Sequence, residues 1–551
     1  MLSEKQDIYT LDEIYKIAVE YKKSGNYIKL NGLCAQTISY VETEEDDSKK
    51  VELFHLIGKI YSLYPNYPKA ITWFSKSLEI QRNEITLEEV IKALISSQKY
   101  EEAINYSDEA IVLYKNNVVF EHLRSIAITQ WCAPHLDKGE FDICISILKR
   151  YSAPNDIILV SKLTSFKAYC FANNLYYQEI QTVGQKNIIY QPNIFNGKKI
   201  RSQKNIEVSK LPVYIAEIPH ASLLSGSNIV LVENNQQAII DDAFFMFDRQ
   251  RLYLDAPLRT FISGYSVSTN DILVRATPNN LSIESAIYIG GTYSFNFYHW
   301  LIEYLPSFWI VNQFEQYRDF PVLVDEKSVK HPNMKAALGQ INIVNREIIS
   351  ISAGTAYHVD KLVIPSKLGY VNPSPLGDFK ATDNIIHREA IEFLRMTFCV
   401  SSQQQQSVNK LLFLARRGNI ITRISNQEEI QSVFSNYGFE IIYPEELSLE
   451  QSIELFSQAK IIAGATGAAM TNIIFAPKNT VVLCLLGENT ANNTIFSNIA
   501  GIIGQQMIYI LGKSNRDSAF SYHSSFRINP VDVLNCLNLI FKKQGLRRDS
   551  N

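Results

Sequence analysis

Apolar residues recur at three- and four-residue spacing through the first part of the chain, a pattern that predicts amphipathic helices. Leu11–Lys23, Lys50–Tyr64 and Tyr67–Ile80 all show it. A repeat runs through these helices. Tyr67-Pro-Lys-Ala70-Ile71-Thr-Trp73 aligns with Tyr100-Glu-Glu-Ala103-Ile104-Asn-Tyr106, 33 residues further on. A looser copy starts at Gly139-Glu-Phe141 and continues through Ile143, Ile145 and Leu148. Small residues at Ala70 and Ala103 let paired helices approach closely, and Tyr67, Trp73, Tyr100 and Tyr106 fill the space around them. The period is close to the 34 residues of tetratricopeptide-type hairpins, so residues 1–178 are expected to form an all-α helical-repeat region. Such a region serves either as a groove for a partner or acceptor, or as a packing platform for the rest of the chain.

From about Gln178 the period shortens. Lys210–Ile218 and Ser227–Glu233 are rich in β-branched residues and bounded by Pro, Gly and Asn, as strands are. Ser285–Gly290 reads as another strand, leading to a Gly-Gly turn and a helix from about Phe297. Val400–Lys410 is polar, aperiodic and Gln-rich, which predicts a linker. Beyond it, short apolar strands alternate with amphipathic helices. The strands are Leu411–Ala415, Phe439–Tyr443, Lys460–Ala463, Thr480–Leu486 and Met507–Leu511. Asn426 is expected to cap one helix, Gly438 to end it, and Ser448 with Gln451 to open the next as a capping box. Alternation of this kind predicts parallel sheets covered on both faces. The fold class is therefore α/β: two Rossmann-like domains, 179–400 and 401–551, facing a cleft that closes over the linker.

Composition narrows the partners. The 551 residues carry a net charge of −3, with 53 basic and 56 acidic side chains, so no basic face for nucleic acid is expected. Seven cysteines form no CxxC pair, which speaks against a disulfide framework or a zinc motif. No run approaches the ~18 apolar residues of a membrane-spanning helix, and the first residues lack the pattern of a signal peptide. The expectation is a cytoplasmic location, with peripheral contact at the inner face of the membrane left open.

Three segments carry candidate chemistry. Ala463-Gly464-Ala465-Thr466-Gly467-Ala468-Ala469-Met470-Thr471-Asn472 ends a strand and opens a helix, whose first N–H groups and dipole suit a diphosphate. Ala415-Arg416-Arg417 ends an earlier strand with Arg423 just beyond, and guanidinium forks suit phosphate oxygens. Third, Gly290-Gly291 leads into Asn296-Phe-Tyr298-His299-Trp300-Leu-Ile-Glu303-Tyr-Leu-Pro306. There His299 and Glu303, four apart, share a helix face and either could take a proton from a hydroxyl. The C-terminal half has no Asp-x-Asp pair, no HExxH, no phosphate-binding GxxxxGK[ST] loop and no GxSxG elbow. Donor phosphate would then be neutralised by arginine and helix dipole, with no metal and no cofactor.

Taken together, these segments resemble family-61 glycosyltransferases of the capsular polysaccharide type. The resemblance rests on the Tyr298–Pro306 segment, the Leu412–Arg417 strand end, Asn426-x-Glu428-Glu429, Tyr437–Leu447, and Gly464-x-Thr466-Gly467-Ala468-Ala469 through Asn472 to Pro477. Many members carry His in place of Thr466 and an acidic residue near Leu483. The resemblance implies a GT-B fold and an inverting, metal-independent transfer of a hexosyl or N-acetylhexosaminyl group. The donor would be a nucleotide sugar, UDP-linked by expectation, and the acceptor a hydroxyl of a bacterial surface glycan. It also implies that Arg416, Arg417, Arg423, Thr466, Gly467, Ala468 and Asn472 bind the donor. Glu445 or Glu446 would reach the ribose or base, and His299 or Glu303 would act as base or orient the acceptor. The other readings are a protein glycosyltransferase whose repeats grip the acceptor, and a non-catalytic repeat scaffold.

Overall fold

The computed structural model describes residues 10–64, 66–115, 117–182, 184, 186–233, 235–246, 262–266, 269–371, 380–399, 408–417, 423–514 and 525–546. These fall into two compact units. One is drawn from Met1–Pro154 and Ala256–Thr269, the other from Asn155–Asp255 and Asn270–Asn551. Residues 400–407 of the expected linker lie outside the described residues.

The first unit is helical. Helices α1 (Leu11–Lys23), α2 (Tyr27–Thr43), α3 (Asp47–Leu63), α4 (Tyr67–Ile80), α5 (Glu84–Ser96), α6 (Tyr100–Leu113), α7 (Val118–Asp137) and α8 (Phe141–Tyr151) each pack on the next. Short polar side chains start most of them: Thr10, Asn26, Asp46, Asn66, Asn83 and Asn117 each accept a first-turn N–H. Ala70 and Ala103 are fully buried at the helix contacts. The repeat reappears as tertiary bonds: Tyr64 Oη donates to Asn31 Oδ1 (2.6 Å) and Asn117 Nδ2 to Glu84 Oε1 (2.5 Å), each pair 33 residues apart.

The helical run stops at Tyr151, short of the expected residue 178. Strand Ile157–Ser165 already belongs to the second unit's first sheet. This sheet is mixed, which differs from a Rossmann-like domain. Its order along the main path is 157–165, 237–240, 229–232, 214–224, 355–365, 271–288, 322–325, 348–351. The last four are mutually parallel where they pair, and 157–165 also pairs antiparallel with 271–276, closing six strands into a ring. Tight turns account for the antiparallel run 214–224, 229–232 and 237–240. Gly226 (φ +71°) and the pair Glu233 and Asn235 (φ +54° and +69°) reverse the chain between apolar runs and form hairpins.

The C-terminal sheet matches the strands read from the sequence. Strands 440–442, 410–414, 459–465, 481–487 and 506–514 lie side by side in that order, all parallel. Numbered along the chain this is 2-1-3-4-5, a doubly wound order whose winding reverses between the first strand and the third. Part of the sheet comes from elsewhere: Asn193–Phe195 joins in parallel beside 506–514, and Ile200–Arg201 pairs antiparallel with it.

Residues of the C-terminal sheet alternate between its two faces, and in the first sheet the alternation shifts at His220, so that Ile218 and Ala221 join one cluster. Val213, Ile215, Ile287, Ile289, Val322, Val324 and Val363 of the first sheet share one apolar cluster with Leu412, Leu414, Ile462, Val482, Cys484, Leu486 and Tyr509 of the second. Helices from 297–311, 332–341, 388–399, 449–457 and 495–503 contribute to the same cluster, so a common helical layer packs on an inner face of both sheets. The outward faces have separate clusters.

Ser448 and Gln451 form the expected capping box. Asn426 does not cap its helix. Its side chain donates to Glu429 Oε2 (2.7 Å) and the Ile528 carbonyl (2.9 Å) and accepts from Ile528 N–H (3.1 Å), tying two distant segments together.

Candidate functional site

Strands 271–288 and 355–365 are parallel neighbours, and their carboxyl ends lead into Gly290-Gly291 and into Lys367. The glycine turn is held by the buried Asp325. Its carboxylate accepts from Gly291 N–H (2.8 Å), Ser294 Oγ (2.6 Å), Gly226 N–H (2.8 Å) and Tyr288 Oη (3.2 Å). Gly291 sits at φ +138°, and a Cβ there would lie 2.1 Å from Asn228 Oδ1, so only glycine fits. The turn delivers the chain to the helix Phe297–His299, capped by Asn296.

The α-helix ends at His299. Trp300–Tyr304 is a π-helical turn, closed by Leu305 N–H donating to the Trp300 carbonyl (2.9 Å). Pro306 explains it. Proline has no N–H to give Ile302, its partner four residues back in an α-helix. The Ile302 carbonyl is instead approached by Gly369, where a Cβ would stand 2.8 Å from that oxygen. This close approach brings Lys367, two residues earlier, to Glu303.

The result is a three-residue relay. Glu303 Oε1 is 2.7 Å from His299 Nδ1, and Lys367 Nζ is 3.4 Å from Glu303 Oε2. Glu303 is 2% exposed. Burial pushes its carboxyl pKa up, but His299 and Lys367 outweigh burial and hold it below the usual value. The carboxylate therefore accepts from both sides and orients the imidazole, with Nδ1 toward Glu303. The His299 side chain keeps 19% of its surface, and Tyr293 (φ +62°) stacks on the ring at 5.2 Å. Lys367 also lies 4.8 Å over the Tyr370 ring, whose hydroxyl donates to Asp241 (3.1 Å). Burial pushes the Asp241 carboxyl up to about 6, against the pull of Lys367. A cavity of about 40 Å³ lies among Asn228, Asp241, Tyr304 and Lys367.

The second group of candidates lies at the reversal point of the C-terminal sheet, where open α/β sheets bind ligands. Arg416 lies just past strand Lys410–Leu414, and Gly467 just past strand Ala459–Ala465. Arg416 lies directly on Gly467: at φ +152° a Cβ there would meet Arg416 Nη2 at 2.8 Å. The Arg416 backbone is clamped by Gln427, which accepts from its N–H (3.1 Å) and donates to its carbonyl (2.9 Å). Burial and the neighbouring Arg423 lower the pKa of the Arg416 guanidinium, with Glu445 opposing. Two guanidinium groups beside a glycine turn have the chemistry to bind an anion. Ala468–Phe475 is a 3₁₀ helix beginning at that turn.

The other predicted residues are placed differently. Arg417 is exposed, lies 3.7 Å over the Tyr443 ring and pairs with Glu446 at 3.4 Å, while its N–H faces Glu445 (3.4 Å). Glu445 and Glu446 thus engage Arg417. Thr466 is buried and its hydroxyl contacts the Cys484 thiol, which burial pushes up to about 12. Asn472 is buried and donates to the Ala469 carbonyl (2.9 Å), bracing the 3₁₀ turn. The helix Phe297–His299 packs against Ala468–Phe475, and Tyr298 meets Phe496 edge-on at 5.8 Å, so the two groups of candidates share one neighbourhood. Lys367 is not legible in the sequence, because nothing around it marks it.

Residues 297–483 match the Glycosyltransferase 61 family, a span that contains every predicted site residue. The chain carries a family-61 glycosyltransferase domain. No curated protein matches the chain. Among solved structures, similarity is found to the C-terminal tetratricopeptide-containing domain of a Plasmodium falciparum FK506-binding protein. The identity is 22%, over 22% of this chain and 93% of that one, with a TM-score of 0.17. The Hsp90 co-chaperone Cns1 of Saccharomyces cerevisiae is 18% identical, over 36% of this chain and 68% of that one, with a TM-score of 0.19. Both likenesses are too slight to bear on the glycosyltransferase or its helical unit. Among the described residues, no helix is long and apolar enough to cross a membrane.

Proposed function

We propose that this glycosyltransferase transfers a sugar with inversion from a nucleotide-sugar donor to a hydroxyl of a glycan, with His299 as general base. The observation that carries the reading is the His299–Glu303 contact of 2.7 Å, on a helix packed against the 3₁₀ turn whose first glycine lies under Arg416. Inversion proceeds by a single displacement. The acceptor oxygen attacks C1 as the nucleotide departs, and the acceptor proton passes to His299 Nε2. Glu303 stabilises the imidazolium that forms, and Lys367 keeps the carboxylate ionised. Both oxygens of Glu303 are engaged and the group is buried, which favours the histidine as base and the glutamate as the residue that orients it. Negative charge grows on the departing diphosphate, where Arg416, Arg423 and the amides after Gly467 stabilise it without a metal.

A thermal-shift panel of nucleotide sugars, combined with transfer assays, tests the reading. The cognate donor is expected to raise the melting temperature of the wild type. Arg416→Ala should lose both that shift and transfer while its own melting temperature stays put. A donor shift that persists in Arg416→Ala would remove the diphosphate assignment.

A further inference from the structure

The antiparallel strands Tyr214–Leu224 and Thr355–Pro365 carry a side-chain cluster that sugar transfer does not use. Ala221 pairs with Val359 and Pro219 with Lys361, so His220 stands opposite Asp360. His358 and Asp360, two residues apart, share a strand face. His220 Nδ1 lies 3.4 Å and His358 Nε2 3.0 Å from the same oxygen, Asp360 Oδ1, and the ligand atoms of all three residues fall within 4.8 Å of one another. The two imidazoles stack nearly parallel, 10° apart with centroids at 6.3 Å. His220 takes up φ +48°, a left-handed conformation unusual for a side-chain-bearing residue in the middle of a strand. An exposed His–Asp contact contributes too little to hold such a conformation.

We infer that His220, His358 and Asp360 form a surface site for a divalent transition-metal ion of the zinc class. The ligand atoms of a tetrahedral zinc stand about 3.4 Å apart, given bonds of about 2.1 Å, and the two separations to Asp360 Oδ1 are close to that. Two imidazoles with one carboxylate select zinc over magnesium or calcium, which take oxygen ligands. Three protein ligands leave the fourth position to water or to a group from another molecule. Asp360 precedes Lys367 by seven residues, on the order of 20 Å of extended chain, so the site is separate from the His299 relay. A metal here clamps the two strands together across the point where His220 bends the chain.

The test uses the full chain, stripped with EDTA and desalted, and titrated with zinc chloride by calorimetry. Wild type is expected to bind one zinc with a micromolar Kd and to gain several degrees of melting temperature. His358→Ala and His220→Asn, the latter chosen because asparagine tolerates the left-handed backbone, should each weaken binding at least tenfold and abolish the thermal gain. Cobalt substitution adds a second readout: an intense visible absorption band from a four-coordinate ion in wild type, absent from the double variant. Zinc binding by the double variant with wild-type affinity, or no binding by wild type at millimolar zinc, overturns the proposal. Neither readout depends on sugar transfer.

Discussion

Glu303→Gln isolates the charge of the relay while preserving its shape. In wild type the 2.7 Å contact places the carboxylate charge about 4 Å from the centre of an imidazolium on His299. At the effective dielectric of protein sites, two unit charges at that distance interact by about 4 kcal/mol. Glutamine still accepts a hydrogen bond but supplies no charge, and it leaves Lys367 as the nearby cation. If His299 is protonated only as the acceptor is deprotonated, the loss falls on the transition state. Since ~1.4 kcal/mol is tenfold in rate, kcat should drop on the order of a thousandfold. The donor KM should move little, because the diphosphate contacts lie elsewhere. The assay is initial-rate release of nucleotide diphosphate, run well below the melting temperature, since stranding Lys367 is expected to cost about 1–3 kcal/mol of stability. Non-additivity gives a second check: because Glu303 acts through His299, His299→Ala and the His299→Ala/Glu303→Gln double variant should be equally slow. A folded Glu303→Gln enzyme with kcat within threefold of wild type, or a double variant much slower than His299→Ala, refutes the relay.

Gly467→Ala pushes a methyl to 2.8 Å from Arg416 Nη2 at a backbone angle that alanine resists. Donor KM should rise at least tenfold, read from donor saturation curves. Asp241 has a folded pKa of about 6 against an ordinary 3.8. A raised carboxyl pKa contributes stability that is fully present below pH 3.8 and lost as pH rises through about 6; the gap of about 2.2 units corresponds to ~3 kcal/mol. The melting temperature of wild type should therefore fall relative to that of Asp241→Asn between pH 4.5 and 7.5, and a constant difference across that range would contradict the burial argument. Transfer should survive EDTA, even if the zinc site on strands 214–224 and 355–365 is emptied; activity lost in EDTA and restored by manganese would contradict metal-independent chemistry.

Local periodicity showed what local interactions decide. Helices Leu11–Lys23 and Tyr67–Ile80 have the expected bounds, the helix-contact alanines are buried, and the C-terminal strands are in place. In each, the apolar spacing and the terminal residues point to one answer. The misses are all decided by distant partners. Ile157–Ser165 is a β-branched run between two helices, and only its pairing with 237–240 and 271–276 makes it the start of the sheet unit. Asn193–Phe195 finds its neighbour more than 300 residues away, at Ile508–Ile510. Pro306 is visible in the sequence, but not the π turn it enforces or the approach of Gly369 that carries Lys367 to Glu303. His299 and Glu303 are legible as a pair because their spacing of four survives in the mixed helix. Their order of action is not, since it depends on burial and on Lys367.

The shared helical layer changes how water is kept from the reaction. Two sugar-binding domains joined by a linker could exclude water by closing on it. Here Val213 and Val363 of one sheet belong to the same apolar cluster as Leu414 and Leu486 of the other, bridged by Trp300, Met470 and Phe496. At ~25 cal/mol per Å², parting even about 400 Å² of that cluster would cost about 10 kcal/mol, comparable to the whole stability of a domain. A wide hinge motion between the sheets would have to part this shared cluster. The His299 helix and the Gly467 turn are instead held in register by the core between them. On the proposed assignment, donor and acceptor would then meet groups already in place, which is the condition under which preorganised charges stabilise a transition state most.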